Sequence, residues 1–430
     1  MSSPWPTIPA GRVARIEIGG TPARNERAFW AGGNDGHPWV SIADMREPVI
    51  QETNERITAA GVRRSNVKPV PAGTPLMSFK LTVGRVAVAG TDLFTNEAIA
   101  AFHVDESQVS PRWLVHVLPG AAARVVTDTA VKGATLNKAK LVEIPLELPP
   151  LREQRRIAEI LDTLDEAIRR TEQVIAKLLQ MKHGLLHDLL TRGIDDNGEL
   201  RDPERHPEQF KDSPLGRIPR GWEVCRAGRL LTRIEQGWSP DCPGWPTNEG
   251  AWGVLRTTAV VWSGYQDAGN KALPSHLAPR PEYEVRPNDV LMTRAGPNSR
   301  VGVVALVDRT QGRLMLSDKL YRLVPATALI EPAFLVLALT GARTQRHLST
   351  LKTGLAESQT NISQAIVRTL WLPVPARPEQ GRICSALDAH AGRVVRESDQ
   401  LDKLRTLKRG LMDDLLTGRV RVNVDSEATE

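Results

Sequence analysis

One stretch, residues 148–191, constrains this chain more than any other. It begins LPPLREQRRIAEILDTLDEAI and ends KHGLLHDLLT. Read as a helix, it places Ile157, Leu161, Leu164, Ile168, Thr171, Ile175, Leu178, Lys182, Leu185 and Leu189 at alternating steps of four and three residues. That is the seam of a coiled coil, and a seam needs a partner. The partner is in the same chain. The shift that lays Pro149 on Pro375 also lays Glu153-Gln154 on Glu379-Gln380, Leu161-Asp162 on Leu387-Asp388 and Asp188 to Thr191 on Asp414 to Thr417, with no gap. A register held over that length marks an internal duplication, and a rod of fixed length is what it protects. Both copies carry a lysine at one seam position, Lys182 and Lys408. A polar residue there either specifies pairing at some cost in stability or sends its ammonium to water along an apolar stem.

In the second copy the seam runs through Ile383, Leu387, Val394, Leu401, Leu404, Leu411 and Leu415. Two such rods divide the 430 residues into a globular unit at 1–147, a long helix at 148–194, an acidic polar linker at 195–212, a second globular unit at 213–375, a second long helix at 376–422 and an acidic tail at 423–430. The linker carries seven acids against three bases. Both globular units lean the other way, with 16 bases to 13 acids in residues 1–145 and 19 to 12 in residues 213–375. A mild basic excess suits a polyanionic partner, and it equally fits an ordinary solvated surface.

Other features exclude function classes. No apolar run approaches the roughly twenty residues that cross a bilayer, and the opening MSSPWPTIPAG has no secretory core; a soluble, cytoplasmic protein without membrane contact is expected. The three cysteines, Cys225, Cys242 and Cys384, have no metal-site spacing, and an odd number fits a reducing compartment.

The first unit opens on Ile8-Pro9-Ala10-Gly11 and then Ile16-Glu17-Ile18-Gly19-Gly20-Thr21-Pro22, a strand running into a turn. Trp39-Val40-Ser41-Ile42 follows, then a short helix or turn within Thr53 to Lys68, a glycine-punctuated hairpin from Gly73, a strand at Thr95 to Ala100 and a helix from Pro111 to Leu118 begun by its proline. The second unit repeats the order. Ile218-Pro219-Arg220-Gly221-Trp222 answers the opening, Gly237-Trp238-Ser239-Pro240 the turn, Gly253 to Thr257 the Trp39 segment, Asp289 to Arg294 with Val301 to Val304 the hairpin, Ser317 to Tyr321 the next strand, and Pro332 to Thr340 the helix. The expected fold is therefore α+β: two duplicated mixed α/β domains, each followed by a long helix, the two helices paired as an antiparallel coiled coil.

These motifs, the helix starts LPPLREQRRIAEILD and RPEQGRICSALD, the endings HDLLTRG and DDLLTGR, the paired glycine turns and the DVLMTR hairpin, resemble the specificity subunit of type I restriction and modification systems over essentially the whole chain. The resemblance implies two target-recognition domains that read a bipartite site in double-stranded DNA, one half-site each. It also implies a non-catalytic scaffold for methyltransferase subunits, two of them, and for restriction and translocase subunits, also two. A helix from Arg152 to Thr191 would span about 60 Å at 1.5 Å per residue, so the rods would act as a ruler between half-sites on duplex DNA that rises about 3.4 Å per base pair.

The residues themselves agree that chemistry is absent. There is no phosphate loop ending in Gly-Lys-Ser/Thr, no Asn/Asp-Pro-Pro-Tyr/Phe methyltransferase motif and no Gly-x-Gly adenosyl loop. His183 and His187 are four apart on a helix but lack the glutamate of a zinc protease. No cofactor and no metal are expected. The side chains able to reach base edges or phosphates from loops are Arg24, Arg27, Arg63, Arg64, Lys68, Lys80, Arg85 and Asn96 in the first unit and Arg256, Lys271, Arg294, Asn298, Arg300, Arg313 and Lys319 in the second. Each fits a solvated surface position as well as a DNA contact. Trp30, Trp39, Trp238, Trp245, Trp252 and Trp262 fall near these loops, where core packing is the expectation for most. Glu153-Gln154 and Glu379-Gln380 follow prolines at helix starts, where an acid favours the positive end of the dipole. Two other function classes remain: a self-sufficient DNA-modifying enzyme, and a coiled-coil adaptor without sequence specificity.

Overall fold

The computed structural model describes residues 4–80, 82–127, 136–354 and 359–423; most of the acidic tail, and Leu81 of the first hairpin, lie outside them. The chain forms two compact units. One comprises Met1–Gln173 with Ser398–Glu430, the other Val174–Glu397. Each unit thus takes one half of each long helix.

In the first unit a five-stranded sheet runs in the order Ala14–Ile18, Ile99–Val104, Pro75–Ser78, Val86–Ala89, Val49–Ile50. In the second, a four-stranded sheet runs Leu231–Gln236, Leu320–Pro325, Val290–Thr293, Val304–Leu306. The first four strands correspond one to one, each neighbour antiparallel in both units. Beside each sheet lies a parallel pair, Trp39-Val40 on Phe94-Thr95 in one unit and Gly253-Val254 on Leu314-Met315 in the other. The fold is therefore α+β with one architecture used twice.

The glycine turns show why this architecture recurs. A Cβ on Gly19 would lie 2.0 Å from the Thr95 carbonyl oxygen, and one on Gly237 would lie 1.7 Å from that of Leu316. Only glycine lets these backbones approach. Gly20 then donates its N–H to Thr95 and Trp238 donates to Leu316, which closes each turn on the neighbouring strand.

Two expected strands open as turns: Ser317 to Lys319 bends before the strand Leu320–Pro325, with the Leu320 N–H donating to the Ser317 carbonyl, and the same happens at Thr95 to Ala100. Thr95 ends the strand Leu93–Thr95 and Ile99 begins the next. Between them Asn96 accepts the Ala98 N–H on its side chain at 3.0 Å and the Ile99 N–H on its carbonyl, the local bonding that draws asparagine out of strands. The helix from Pro111 also runs further than expected, through Pro119 to Thr127. Buried Ala121 and Ala122 continue its apolar face past the proline, and that packing offsets the lost backbone bond.

The long helices span Leu151–Thr191 and Arg377–Leu415. Within the first unit the start of one lies beside the end of the other: Arg405 reaches Glu172 at 2.7 Å, Lys408 pairs with Asp165, and Leu161 shares a core with Leu411 and Leu415. Within the second unit the reverse halves meet. His390 donates from Nε2 to the Leu178 carbonyl at 3.0 Å, and Leu185 and Leu189 share a core with Ile383 and Leu387. The pairing is antiparallel in both. Of the seam residues, Ile157, Leu161, Leu178, Leu189, Ile383, Leu387, Leu401 and Leu415 are buried, and Leu164, Ile168, Leu185, Val394, Leu404 and Leu411 half-buried. Each buried leucine is worth about 2 kcal/mol of apolar transfer.

Glu153-Gln154 and Glu379-Gln380 do more than cap. The Gln154 amide accepts from the Ser110 N–H at 2.8 Å and donates to the carbonyls of Gln108 and Pro149. Gln380 repeats this with the Glu331 N–H at 2.9 Å and the carbonyls of Leu329 and Pro375. Each glutamine thus ties a long helix to the loop that opens the globular unit's own helix. The Glu153 carboxylate takes both Nε and Nη2 of Arg421, at 2.7 and 2.8 Å. That of Glu379 takes Arg201 and the Ile194 N–H. Both arginines lie beyond the end of the opposite helix. In the segment 195–212 Asp195 accepts the N–H groups of Asn197 and Glu199, Asp202 accepts those of Glu204 and Arg205, and Phe210 is buried.

Candidate nucleic-acid interface

The sequence candidates separate by what their side chains touch. In the first unit Arg27 sits on the 3-10 turn Arg27–Phe29 and Arg63 in the short helix Ala59–Arg63, with Arg64 just beyond it. The Thr58 side chain caps that helix by accepting the Gly61 N–H, and its backbone N–H donates to Phe29, so these elements are neighbours. Arg27, Arg63, Arg64 and Lys68 are exposed, and no ion pair holds any of them among the described residues. Arg27, Arg63 and Arg64 thus stand on neighbouring elements. Lys80 lies 5.5 Å from the Phe79 ring, and Arg85 donates to the Ile42 carbonyl. Asn96 is spent on its own turn.

In the second unit Arg256 donates to the Gly244 carbonyl and Arg313 to that of Gly250, so both close loops. Arg313 does so at φ 55, a left-handed conformation that costs a side-chain-bearing residue free energy. Arg294 donates to the Asp318 carbonyl over the Tyr321 ring, and Lys319 pairs with Asp318 at 3.3 Å. Asn298 accepts the Lys352 ammonium on its backbone carbonyl, while Arg300 is half-buried with Nη1 unpaired. Lys271 is half-buried in Asn270–Ala272.

The tryptophans depart from the core expectation. Of the six, only Trp39 is fully buried, whereas Trp245 is 67% and Trp262 53% exposed. Trp262 stands in the two-residue turn between Val260–Val261 and Gly264–Tyr265, which leaves its ring exposed. Composition near a loop could not signal this; a ring in a turn between two-residue strands could.

Two arginine–tryptophan stacks stand beside the glycine turns. Arg24 lies 4.1 Å from the Trp30 ring centre and 4.8 Å from that of Trp39, with Glu55 gripping both terminal nitrogens of its guanidinium. Arg280, which sequence reasoning passed over, lies 4.0 Å from the Trp238 ring.

Among the described residues one group has ligand atoms close enough for a metal, His116, Asp162 and Asp165. Arg112 already pairs with Asp162 and Lys408 with Asp165, so the group reads as a neutralised ionic junction. Burial opposes the Asp162 charge, but the His116 hydrogen bond and charge and Arg112 outweigh it and hold that carboxyl below its usual range. Burial pushes the Cys384 thiol up to about 12, which makes it inert.

Residues 2–180 match the type I restriction modification DNA specificity domain. The EcoEI specificity subunit of Escherichia coli is 40% identical over 192 residues, 44% of this chain and 32% of that protein, so the similarity spans about a third of that relative. The putative MjaX specificity subunit of Methanocaldococcus jannaschii is 24% identical over 325 residues, 74% of this chain and 70% of that one. A chain solved in work on the assembly and conformational transition of the type I R-M system covers 98% of this chain and all of its own length at 17% identity, with a TM-score of 0.59. The S subunit of the type I system of M. genitalium covers 96% of each chain at 11% identity and 0.54. At those identities the agreement is one of fold.

Proposed function

We propose that this chain, whose residues 2–180 match the type I restriction modification DNA specificity domain, is a sequence-reading subunit of such a complex. Each globular unit reads one half of a bipartite site in double-stranded DNA. The chain does no chemistry itself; it holds two methyltransferase subunits, and two restriction and translocase subunits where the system has them, at the site they act on. The observation that carries this reading is the repeated sheet connectivity with unlike loops. One architecture used twice with two different reading surfaces is what a two-part recognition site requires.

The cationic groups supply the second support. Arg27, Arg63, Arg64 and Lys68, all exposed, hold phosphates in this reading, which positions a duplex without reading it. Helix length sets the gap between half-sites, since 41 and 39 residues of continuous helix cannot change length without losing register.

Binding of the purified chain, with and without its methylating partner, to duplex DNA across a salt series tests the reading. Sequence-dependent affinity that falls steeply with salt and rises with the partner is expected. Nuclease, methylation or ATPase activity of the chain alone would point to an enzyme, and equal affinity for every duplex to an adaptor. Deleting one heptad from either helix is expected to shift the preferred gap or abolish binding.

A further inference from the structure

We infer that Arg24 and Arg280 are specificity-determining residues, each presenting a guanidinium held over tryptophan to a guanine in the major groove of its own half-site. This rests on the DNA-reading function proposed above and adds which side chains do the reading.

The two stacks are built from non-equivalent residues yet stand at the corresponding place. In the first unit Trp39 donates its indole N–H to the Gly20 carbonyl at 3.0 Å, so its ring is fixed to the glycine turn. Trp30 meets it edge-on, with ring centres 5.0 Å apart and planes at 89°, and donates to the Ala23 carbonyl at 3.1 Å. Arg24, between these anchors, is exposed. In the second unit the tryptophan is itself a residue of the turn, Trp238, whose backbone N–H donates to the Leu316 carbonyl. Arg280 comes from another loop, where its backbone N–H donates to the Met315 sulfur and its carbonyl accepts the Tyr283 N–H. Different residues converge on one arrangement at one place.

That arrangement is suited to reading a base. A guanidinium carries five N–H donors in a rigid plane. A ring beneath it fixes that plane and lowers the freedom lost when hydrogen bonds form. Glu55 occupies one donor on each terminal nitrogen of Arg24, which leaves three, including the Nε–H and a neighbour on the same edge. Two parallel donors on one edge match the O6 and N7 acceptors of guanine. The side chain of Arg280 has no hydrogen-bonding partner among the described residues, and it is exposed; its whole fork is available. By contrast, Arg256 and Arg313 spend donors on loop carbonyls within their own unit.

The test is selection of preferred sequences from a randomised duplex library by the full chain and by R24A, R24K, R280A and R280K. The wild-type chain is expected to return a two-block motif; its failure to do so would refute DNA reading altogether, separately from the present inference. With that motif in hand, R280A and R280K should each lose preference for one guanine by about tenfold or more in one block only, and the Arg24 variants should do the same in the other block. The lysine variants keep the charge, so they also guard against a variant that fails to fold. An unchanged motif, a lysine variant that keeps the full guanine preference, or equal weakening of both blocks would overturn the assignment, the second because no planar fork would then be needed and the last because it describes a phosphate contact.

Discussion

At the residue scale, the pairs Glu153-Gln154 and Glu379-Gln380 show what sequence could and could not disclose. Their position at helix starts was legible, and so was their repetition. Their partners were not, because Arg421 and Arg201 lie far along the chain from the glutamates they bind and no local rule links them. The two ion pairs differ in burial: the side chains of Glu379 and Arg201 are 7% and 19% exposed, whereas Arg421 is 53% exposed. Removing one partner of a buried pair strands the other charge, so E379Q should lower unfolding stability by about 3 kcal/mol. E153Q should cost clearly less, and denaturant titration of both variants checks the order. Asp162 yields a pH prediction. Its folded-state pKa lies below 3.8, so the stability it contributes is complete above that value and is lost as pH falls through the folded pKa. D162N should therefore lose about 1 kcal/mol at neutral pH, with solvent screening allowed for, and show a shallower loss of stability below pH 3.8 than the wild type in a melting series.

At the scale of elements, the long helices were the most legible part of the chain, since their seam is a sustained period that few other structures produce. Every apolar seam residue named from sequence is buried or half-buried. The shared lysine is where the copies part. Lys408 is half-buried and pairs with Asp165, whereas Lys182 is exposed. The duplication explains the difference, because the residue aligned with Asp165 in the second copy is Ala391. The two readings of a seam lysine thus each hold for one copy. K408A should destabilise the first unit by up to about 1 kcal/mol while K182A is neutral, and thermal melts of the two variants decide it. The short strands were harder to read. Thr95 to Ala100 alternates well enough for a strand, but the Asn96 side chain bonds its own backbone and turns the chain, a choice that hydrophobic pattern alone does not register.

For the whole molecule, the repeated order of turn, hairpin and helix predicted a duplicated α+β fold, and the matching strand connectivity of the two units bears that out. The proposed reading surface was less accessible. Several arginines picked for lying in loops close those loops by bonding carbonyls, while Arg280 escaped notice because its tryptophan is brought to it only by folding. Residue type and loop position do not say whether a guanidinium is already engaged; the fold does. The central claim is that one chain supplies two separate readers for a single DNA site. Mapping methylated bases across the genome in cells with this chain and in cells deleted for it tests that claim most directly. Methylated bases confined to a motif of two short blocks with a constant unread gap, disappearing with the chain, are predicted. A methylation pattern that survives its deletion, or a motif with a single block, would contradict the account.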